Sequence, residues 1–261
     1  MFISLVLVAC MTSMHDLKSR LLAEYGDHMQ RPSQATTYCA AQADHVDVQV
    51  HVDRYGDLDQ TSQTYSFDGY LRAWWHDPRL AYNASSDGSN DCDSADSMRL
   101  FFDMQETRRV WTPDLYWEDA AGAKVVLPNV MQSSAGSTFA VSPNGNVWWS
   151  QQASFELSCP MDLSLMPFDT QRCNFMMGLY SHRASEVTLN WLATAIEDGS
   201  SAVGGGPAGW DRPRLESKTQ LLSYASGNYS YAHATFAFRR LPSTCKSARL
   251  ELARCLACAP E

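Results

Sequence analysis

No run of eighteen or more apolar residues occurs in the 261-residue chain, so none of its segments reads as a membrane-spanning helix. Basic residues are scarce as well: 20 Lys and Arg stand against 29 Asp and Glu, a net charge of -9. Nucleic acids and anionic membrane surfaces select Lys and Arg patches, and both are excluded as partners on that ground. The seven histidines, His15, His28, His45, His51, His76, His182 and His233, are scattered, with no zinc-ligand spacing and no G-x-S-x-G companion. Neither an enzyme nor a bound metal or cofactor is expected. The acidic stretch "DGSNDCDSAD" at 87–96 lacks the twelve-residue spacing and closing glutamate of an EF-hand and reads as a solvated polar loop.

What the chain does have is enough apolar residue, 45% of its length, to bury one full core. Phe2 to Cys10 is a short apolar run ending in small residues, though no Lys or Arg precedes it, and residues 1–12 read as a signal peptide. A secretory route permits disulfides. Cys159 and Cys173 close a short segment, "CPMDLSLMPFDTQRC", and a bridge there removes about 3 kcal/mol of unfolded-state entropy in the chain-entropy account. Cys39, Cys92, Cys245, Cys255 and Cys258 have no evident partners, and the tail "CLAC" lacks the second ligand pair a structural zinc site needs.

Alternation of apolar and polar residues dominates the middle of the chain, and a period of two marks half-buried strands. Val46, Val48, Val50 and Val52 share one face of "HVDVQVHVD". Tyr65, Phe67, Leu71, Ala73 and Trp75 should face the core, opposite Ser66, Asp68, Tyr70, Arg72 and Trp74. In "NVWWSQQASFEL" the inward set is Val147, Trp149, Phe155 and Leu157, which turns Trp148, Ser150, Gln152 and Glu156 outward. Val187, Leu189 and Trp191 form another inward set. "NYSYAHATFAFRR" puts Ala232, Ala234, Phe236 and Phe238 inward against Tyr229, Tyr231, His233 and Thr235. Helical spacing appears once, at Leu17, Leu21, Leu22 and Tyr25. The glycines and prolines of 199–213 predict a long flexible loop. The sum is an all-β chain: one N-terminal helix, then a sandwich of about ten strands.

Four motifs in order give this pattern a family. "YLRAWWHDPRL" is similar to a W-x-D-x-R-L segment, "VWTPDLYW" to W-x-P-D, "GNVWWS" precedes the cysteine segment, and "MPFD" sits inside it with Met166 in place of an aromatic. From about Leu17 to Arg240 the chain resembles the extracellular ligand-binding domain of the Cys-loop receptors, the pentameric neurotransmitter-gated ion channels. The resemblance implies an immunoglobulin-like β-sandwich domain over residues 13–240, followed by a divergent tail, 241–261, unlike the first membrane helix of that family.

The resemblance also implies a site between two subunits, built from aromatic rings that attract a ligand cation. Its principal face would hold Tyr116, Tyr180, His182, Tyr224 and Tyr229, and its complementary face Tyr70, Arg72, Trp148, Ser150 and Gln152. Gly178 stands where some anion-channel members carry a glutamate, and Arg72 could pair with a ligand carboxylate. Trp75, Trp111 and Trp191 are expected in the core, while Asp77, Arg79 and Asp114 hold turns. The Cys159–Cys173 loop with Asp169, and the pair Arg239 and Arg240, would couple binding to a pore.

The implied partners are a small transmitter-like ligand and a homo- or hetero-pentamer. The implied location is the extracellular face of the cell membrane, reached only through a pore domain that this chain does not contain. Two further readings stay open: a secreted, soluble ligand-binding protein of the acetylcholine-binding type, and a structural sandwich without a ligand.

Overall fold

The structure, a computed structural model, describes residues 14–36, 42–83, 99–117, 125–126, 137–200 and 205–241. The signal segment, the polar stretch 87–96, Cys39, Cys92 and the tail cysteines lie outside the described residues. Helix α1 (14–24) opens the described chain, followed by the short α2 (Pro32–Thr36). Eleven strands come next: β1 (Asp44–Asp59), β2 (Thr64–His76), β3 (Leu100–Phe102), β4 (Leu115–Trp117), β5 (Val125–Val126), β6 (Ser137–Val141), β7 (Asn146–Ser158), β8 (Thr170–Leu179), β9 (Val187–Asp198), β10 (Arg214–Tyr224) and β11 (Gly227–Arg239). A single helical turn, α3 (Met104–Thr107), follows β3 and is closed by a capping box between Asp103 and Glu106.

The strands form two sheets, as the alternation predicts. The larger has the order β3-β6-β7-β2-β1-β9, with β5 also paired to β7, and the smaller has the order β10-β11-β8-β4. Their inner faces meet through aromatic rings. Phe67 of β2 stacks on Phe155 of β7 at 4.6 Å and on Phe236 of β11 at 5.4 Å, and Phe175 of β8 meets Phe155 edge-on at 5.6 Å. All four are buried. Val46, Val48, Val50 and Val52 are fully buried, and the inward sets predicted on β2, β7 and β11 are buried as well. Trp75 and Trp111 lie in the core, while Trp191 is half-buried and donates its indole N–H to the His233 carbonyl at 3.0 Å.

Helix α1 covers one end of the sandwich with Leu17, Leu21 and Leu22. Tyr25 continues that face and anchors a polar knot. Its hydroxyl donates to Asp77 at 2.6 Å and accepts from the Trp111 backbone N–H at 2.9 Å, and the Arg79 guanidinium lies 4.1 Å from its ring. Asp77 has no exposed surface, yet it is satisfied: it caps the turn Pro78–Leu80 and takes two bonds from Arg79, at 2.9 and 2.8 Å. Burial of the Tyr25 phenol, reinforced by the Asp77 charge, raises its pKa above the usual range. Asp77 and Arg79 thus hold a turn, as expected.

Cys159, at the end of β7, and Cys173, in β8, are bridged with their Cα atoms 4.8 Å apart and tie the large sheet to the small one. Several residues on outward-facing positions are buried, among them Gln49, which alternates with the inward valines of β1. Tyr231 and Thr235 are buried, because β11 lies inside its sheet between β10 and β8 and neighbouring side chains cover its outer face. Gln49 is buried where its amide reaches the Thr194 carbonyl at 2.9 Å. The predicted flexible loop 199–213 is tied down in its second half: Trp210 is buried, bridges to Arg240 through the backbone, and lies 4.1 Å beneath that guanidinium.

Two neighbouring residues of opposite parity test this layering. Phe67→Ala is expected to cost about 3–5 kcal/mol in chemical denaturation, and Tyr70→Ala, on the outer side of the same strand, less than about 1 kcal/mol.

Candidate ligand-binding site

The outer face of the smaller sheet carries a chain of tyrosines. Tyr116 of β4 meets Tyr180, just past β8, at 5.6 Å edge-on, and meets Tyr231 of β11 at 6.1 Å. The hydroxyls of Tyr116 and Tyr231 share a hydrogen bond, and Tyr224 joins Tyr231 through its hydroxyl at 3.3 Å. Tyr224 in turn packs on Tyr229 at 5.7 Å across the β10–β11 hairpin. Tyr180 is 77% exposed, Tyr224 is 45% exposed and Tyr231 is only 1% exposed, so the cluster has an open rim and a closed floor.

Gly178 makes that floor possible. Its Cα is the register partner of Tyr116 on one side and of Tyr231 on the other. A Cβ at Gly178 would fall 2.6 Å from Tyr231 Cε1 and 3.1 Å from Tyr116 Cε1. The space a side chain would need is filled by the two rings.

His182 belongs elsewhere. Its Nδ1 lies 3.1 Å from Asp114 Oδ1, and its ring meets Trp111 at 6.1 Å on the inner side of the segment before β4. Burial disfavours ionisation of Asp114, but hydrogen bonds from His182 and from the Ser181 hydroxyl and backbone N–H outweigh it and hold the carboxyl below its ordinary value. Asp114 therefore braces the turn after β8, and His182 is not part of the tyrosine cluster.

Tyr70, Arg72, Trp148, Ser150 and Gln152, the set expected on a complementary face, share the outer face of the larger sheet. Tyr70 pairs with Gln152, Arg72 with Ser150 and Trp74 with Trp148 in the β2–β7 register. Trp148 is half-buried beside a cavity of about 370 Å³ that Arg72 and Trp74 also line. Gln152 is exposed, whereas Ser150, predicted outward, is 8% exposed beneath its neighbours. Arg72 already holds partners: it donates to Gln49 at 3.0 Å and to Glu197 at 2.8 Å. His51 also binds Glu197, at 2.9 Å, and stands 3.1 Å from Asp53 through its other nitrogen. The His51 hydrogen bond, followed by that of Arg72, keeps the Glu197 carboxyl below its usual range against the effect of burial.

At the opposite end from α1, Asp169 and Arg240 form a buried two-pronged pair, with Nε–Oδ1 2.6 Å and a second contact at 2.8 Å. Gln171 adds a bond to Asp169 at 2.7 Å, and the Arg240 backbone N–H donates to the Asp169 carbonyl. Arg239 is exposed and pairs with Asp211 at 2.8 Å instead. Between the cysteines, Leu165 and Phe168 are 71% and 78% exposed, so the stapled loop presents apolar side chains to solvent from a rigid base.

A two-layer sandwich with a stapled loop at one end and aromatic rings on its flank is the architecture of a receptor-type binding domain. Residues 14–241 match the neurotransmitter-gated ion-channel ligand binding domain family. The chain belongs to that family, whose members are ligand-gated ion-channel receptors and not enzymes. The human gamma-aminobutyric acid receptor subunit rho-3 is 27% identical over 149 residues, an alignment that covers 56% of this chain and 28% of that protein. The chain thus spans well under two thirds of the relative it matches. No helix among the described residues is long and apolar enough to cross a membrane.

Two residues of the site region escaped the sequence reading. Tyr231 lies two positions beyond Tyr229, on the same strand face, and that shared parity was the available signal. Glu197 carried none, because nothing in "TAIEDG" ties it to a strand far away in the chain. Gly178→Ala is expected to push the Tyr116 and Tyr231 rings apart, with a changed near-ultraviolet circular dichroism spectrum while the far-ultraviolet spectrum stays unchanged. For Asp169 the Arg240 hydrogen bond, opposed by burial, depresses the carboxyl pKa, so its stabilisation is complete above about pH 4 and is lost as the pH falls through the folded-state value. Asp169→Asn should cost about 3–5 kcal/mol at neutral pH in chemical denaturation, and its deficit against the parent should shrink on acidification below that point.

Proposed function

We propose that the chain is the ligand-binding domain of a pentameric ligand-gated ion channel, held at the extracellular face of a membrane, and that it takes a small transmitter-like molecule between two subunits. Residues 1–12 act as the signal peptide and 13–240 as the binding domain. The observation that carries this reading is the division of the aromatic and cationic groups between sheets. The tyrosines lie on the outer face of the smaller sheet, and Tyr70, Arg72, Trp148, Ser150 and Gln152 on that of the larger. Outer faces of two different sheets point apart, so a ligand that touches both sets needs a second copy of the chain or a related subunit.

Ring faces attract an ammonium group by about 0.5–2 kcal/mol each, and Tyr180 and Tyr224 offer theirs at the open rim. Arg72 offers a guanidinium to a carboxylate. An amino-acid transmitter carries both groups, and the human relative is by name a receptor for gamma-aminobutyric acid. With Gly178 in place of an acid, the ammonium depends on rings alone; a carboxylate would share Arg72 with Glu197. When the domain is joined to a pore, the apolar tip of the Cys159–Cys173 loop is the pressing surface, and the Asp169–Arg240 pair fixes it to the last strand. Arg239, beside it, keeps its charge at the surface for the same coupling.

Light scattering, with tryptophan fluorescence read against gamma-aminobutyric acid, glycine and acetylcholine, tests the proposal. It predicts a mass near five times the 29.1 kDa chain and a saturable signal with one of the three, weakened at least about tenfold by Tyr229→Ala. A monomer silent to all three contradicts it.

A further inference from the structure

Asn228, Tyr229 and Ser230 read N-Y-S at the start of β11, the pattern on which an N-linked sugar is placed in proteins of the secretory route. A three-residue pattern recurs by chance, so its surroundings decide. Asn228 is one register pair in from the Tyr224–Gly227 pair that closes the β10–β11 hairpin, and its side chain is exposed. Its backbone is tied down, because the Ala184 N–H donates to its carbonyl at 2.8 Å. Its amide is open at the atom that matters: the Ser223 hydroxyl donates to Oδ1 at 2.8 Å, while Nδ2, the nitrogen that takes a sugar, has no partner among the described residues.

Strand alternation sets the direction a sugar would take. Asn228 shares its side of β11 with Ser230, Ala232 and Ala234, which are buried in the sandwich, whereas Tyr229 and Tyr231 lie on the other side with the tyrosine cluster. Burial on the first side ends at Ser230, and Asn228 beyond it is open to solvent. A sugar on Asn228 is thus directed away from Tyr229. Ser230 carries the hydroxyl that the transferase must engage, yet in the folded chain it is 4% exposed, donates to the Leu189 carbonyl at 2.9 Å and accepts from the Leu189 N–H at 3.1 Å. That hydroxyl is within reach only before β11 closes on β9, while the Asn228 amide stays open afterwards.

We propose that Asn228 is a modification site that carries an N-linked oligosaccharide, attached during synthesis before β11 closes on β9. The donor is a lipid-linked oligosaccharide diphosphate: the bond from the first sugar's C1 to the diphosphate oxygen breaks, a bond from C1 to Nδ2 forms, the lipid diphosphate leaves with the electron pair, and one amide proton goes to a base of the transferase. The proposal rests on the extracellular reading in one respect, passage through the secretory compartment in which the Cys159–Cys173 bridge would also form. It stands whether or not the tyrosine cluster binds a transmitter.

The test is a peptide map of the full chain made in cultured mammalian cells and treated with peptide N-glycosidase in heavy-oxygen water, which turns a sugar-bearing Asn into a heavy Asp and leaves a bare Asn unchanged. The expected result is heavy Asp at position 228, with Cys159 and Cys173 bridged in the same map. Asn228→Gln should lose one glycan step in gel mobility with secretion unchanged, since the side chain is exposed. Mapping by residue keeps this signal apart from the second N-x-S pattern at Asn83, whose last two residues lie outside the described residues. Dithiothreitol given during synthesis, which delays closure of the fold, should hold or raise occupancy at Asn228; a fall would contradict attachment before closure. A bare Asn228 beside an intact Cys159–Cys173 bridge overturns this proposal alone. A bare Asn228 with both cysteines reduced overturns it together with the extracellular reading.

Discussion

Everything on the outside of this domain is placed by the aromatic contact between its sheets. Phe67 and Phe155 from the larger sheet lock against Phe175 and Phe236 from the smaller, and the period of two then turns every intervening residue outward. Trp148, Gln152, Tyr70 and Arg72 owe their positions on the flank to the inward commitment of Trp149, Ala153, Leu71 and Ala73. A one-residue slip in either β2 or β7 would exchange the core for the candidate site. The Cys159–Cys173 bridge and the Asp169–Arg240 pair act on the same constraint at the end of the sandwich, joining the sheets where ring contacts run out.

Within the smaller sheet a different economy operates. Three strands bring Tyr116, Gly178 and Tyr231 into register, and the missing Cβ of the middle residue lets the flanking rings close over it. The tyrosine cluster is therefore pre-organised by backbone pairing, with a buried Tyr231 beneath an exposed Tyr180. Rings held in this way would lose little entropy if a ligand docked on them. The larger sheet shows the converse: Arg72 is held by Gln49 and Glu197, so its charge is oriented but partly spent.

Most of the layering was legible in the sequence because strands with one wet face write their orientation residue by residue. The inward sets of β1, β2, β7 and β11 fell where alternation put them. Alternation could not show how deep an outward residue lies. Tyr231 and Thr235 face away from the sandwich core yet are buried, since β11 has neighbours on both sides, and Ser150 is small enough to sink beneath larger residues. Contacts between residues distant in sequence were also invisible: Glu197 with Arg72, and Trp210 with Arg240. His182, which the family resemblance grouped with the tyrosines, is held by Asp114, a partner distant in sequence.

The central claim is that one binding site needs two copies of the chain, and mixed assembly tests it most directly. Tyr180→Ala disables one set of residues and Arg72→Gln the other. Neither variant alone should bind gamma-aminobutyric acid in calorimetry at concentrations that saturate the parent protein. Co-expressed in equal amounts, they should recover about a quarter of the parent's sites, the fraction of interfaces at which two unaltered sets meet. If the mixture binds no more than either variant alone, each site lies within one copy and the account of a shared interface is wrong.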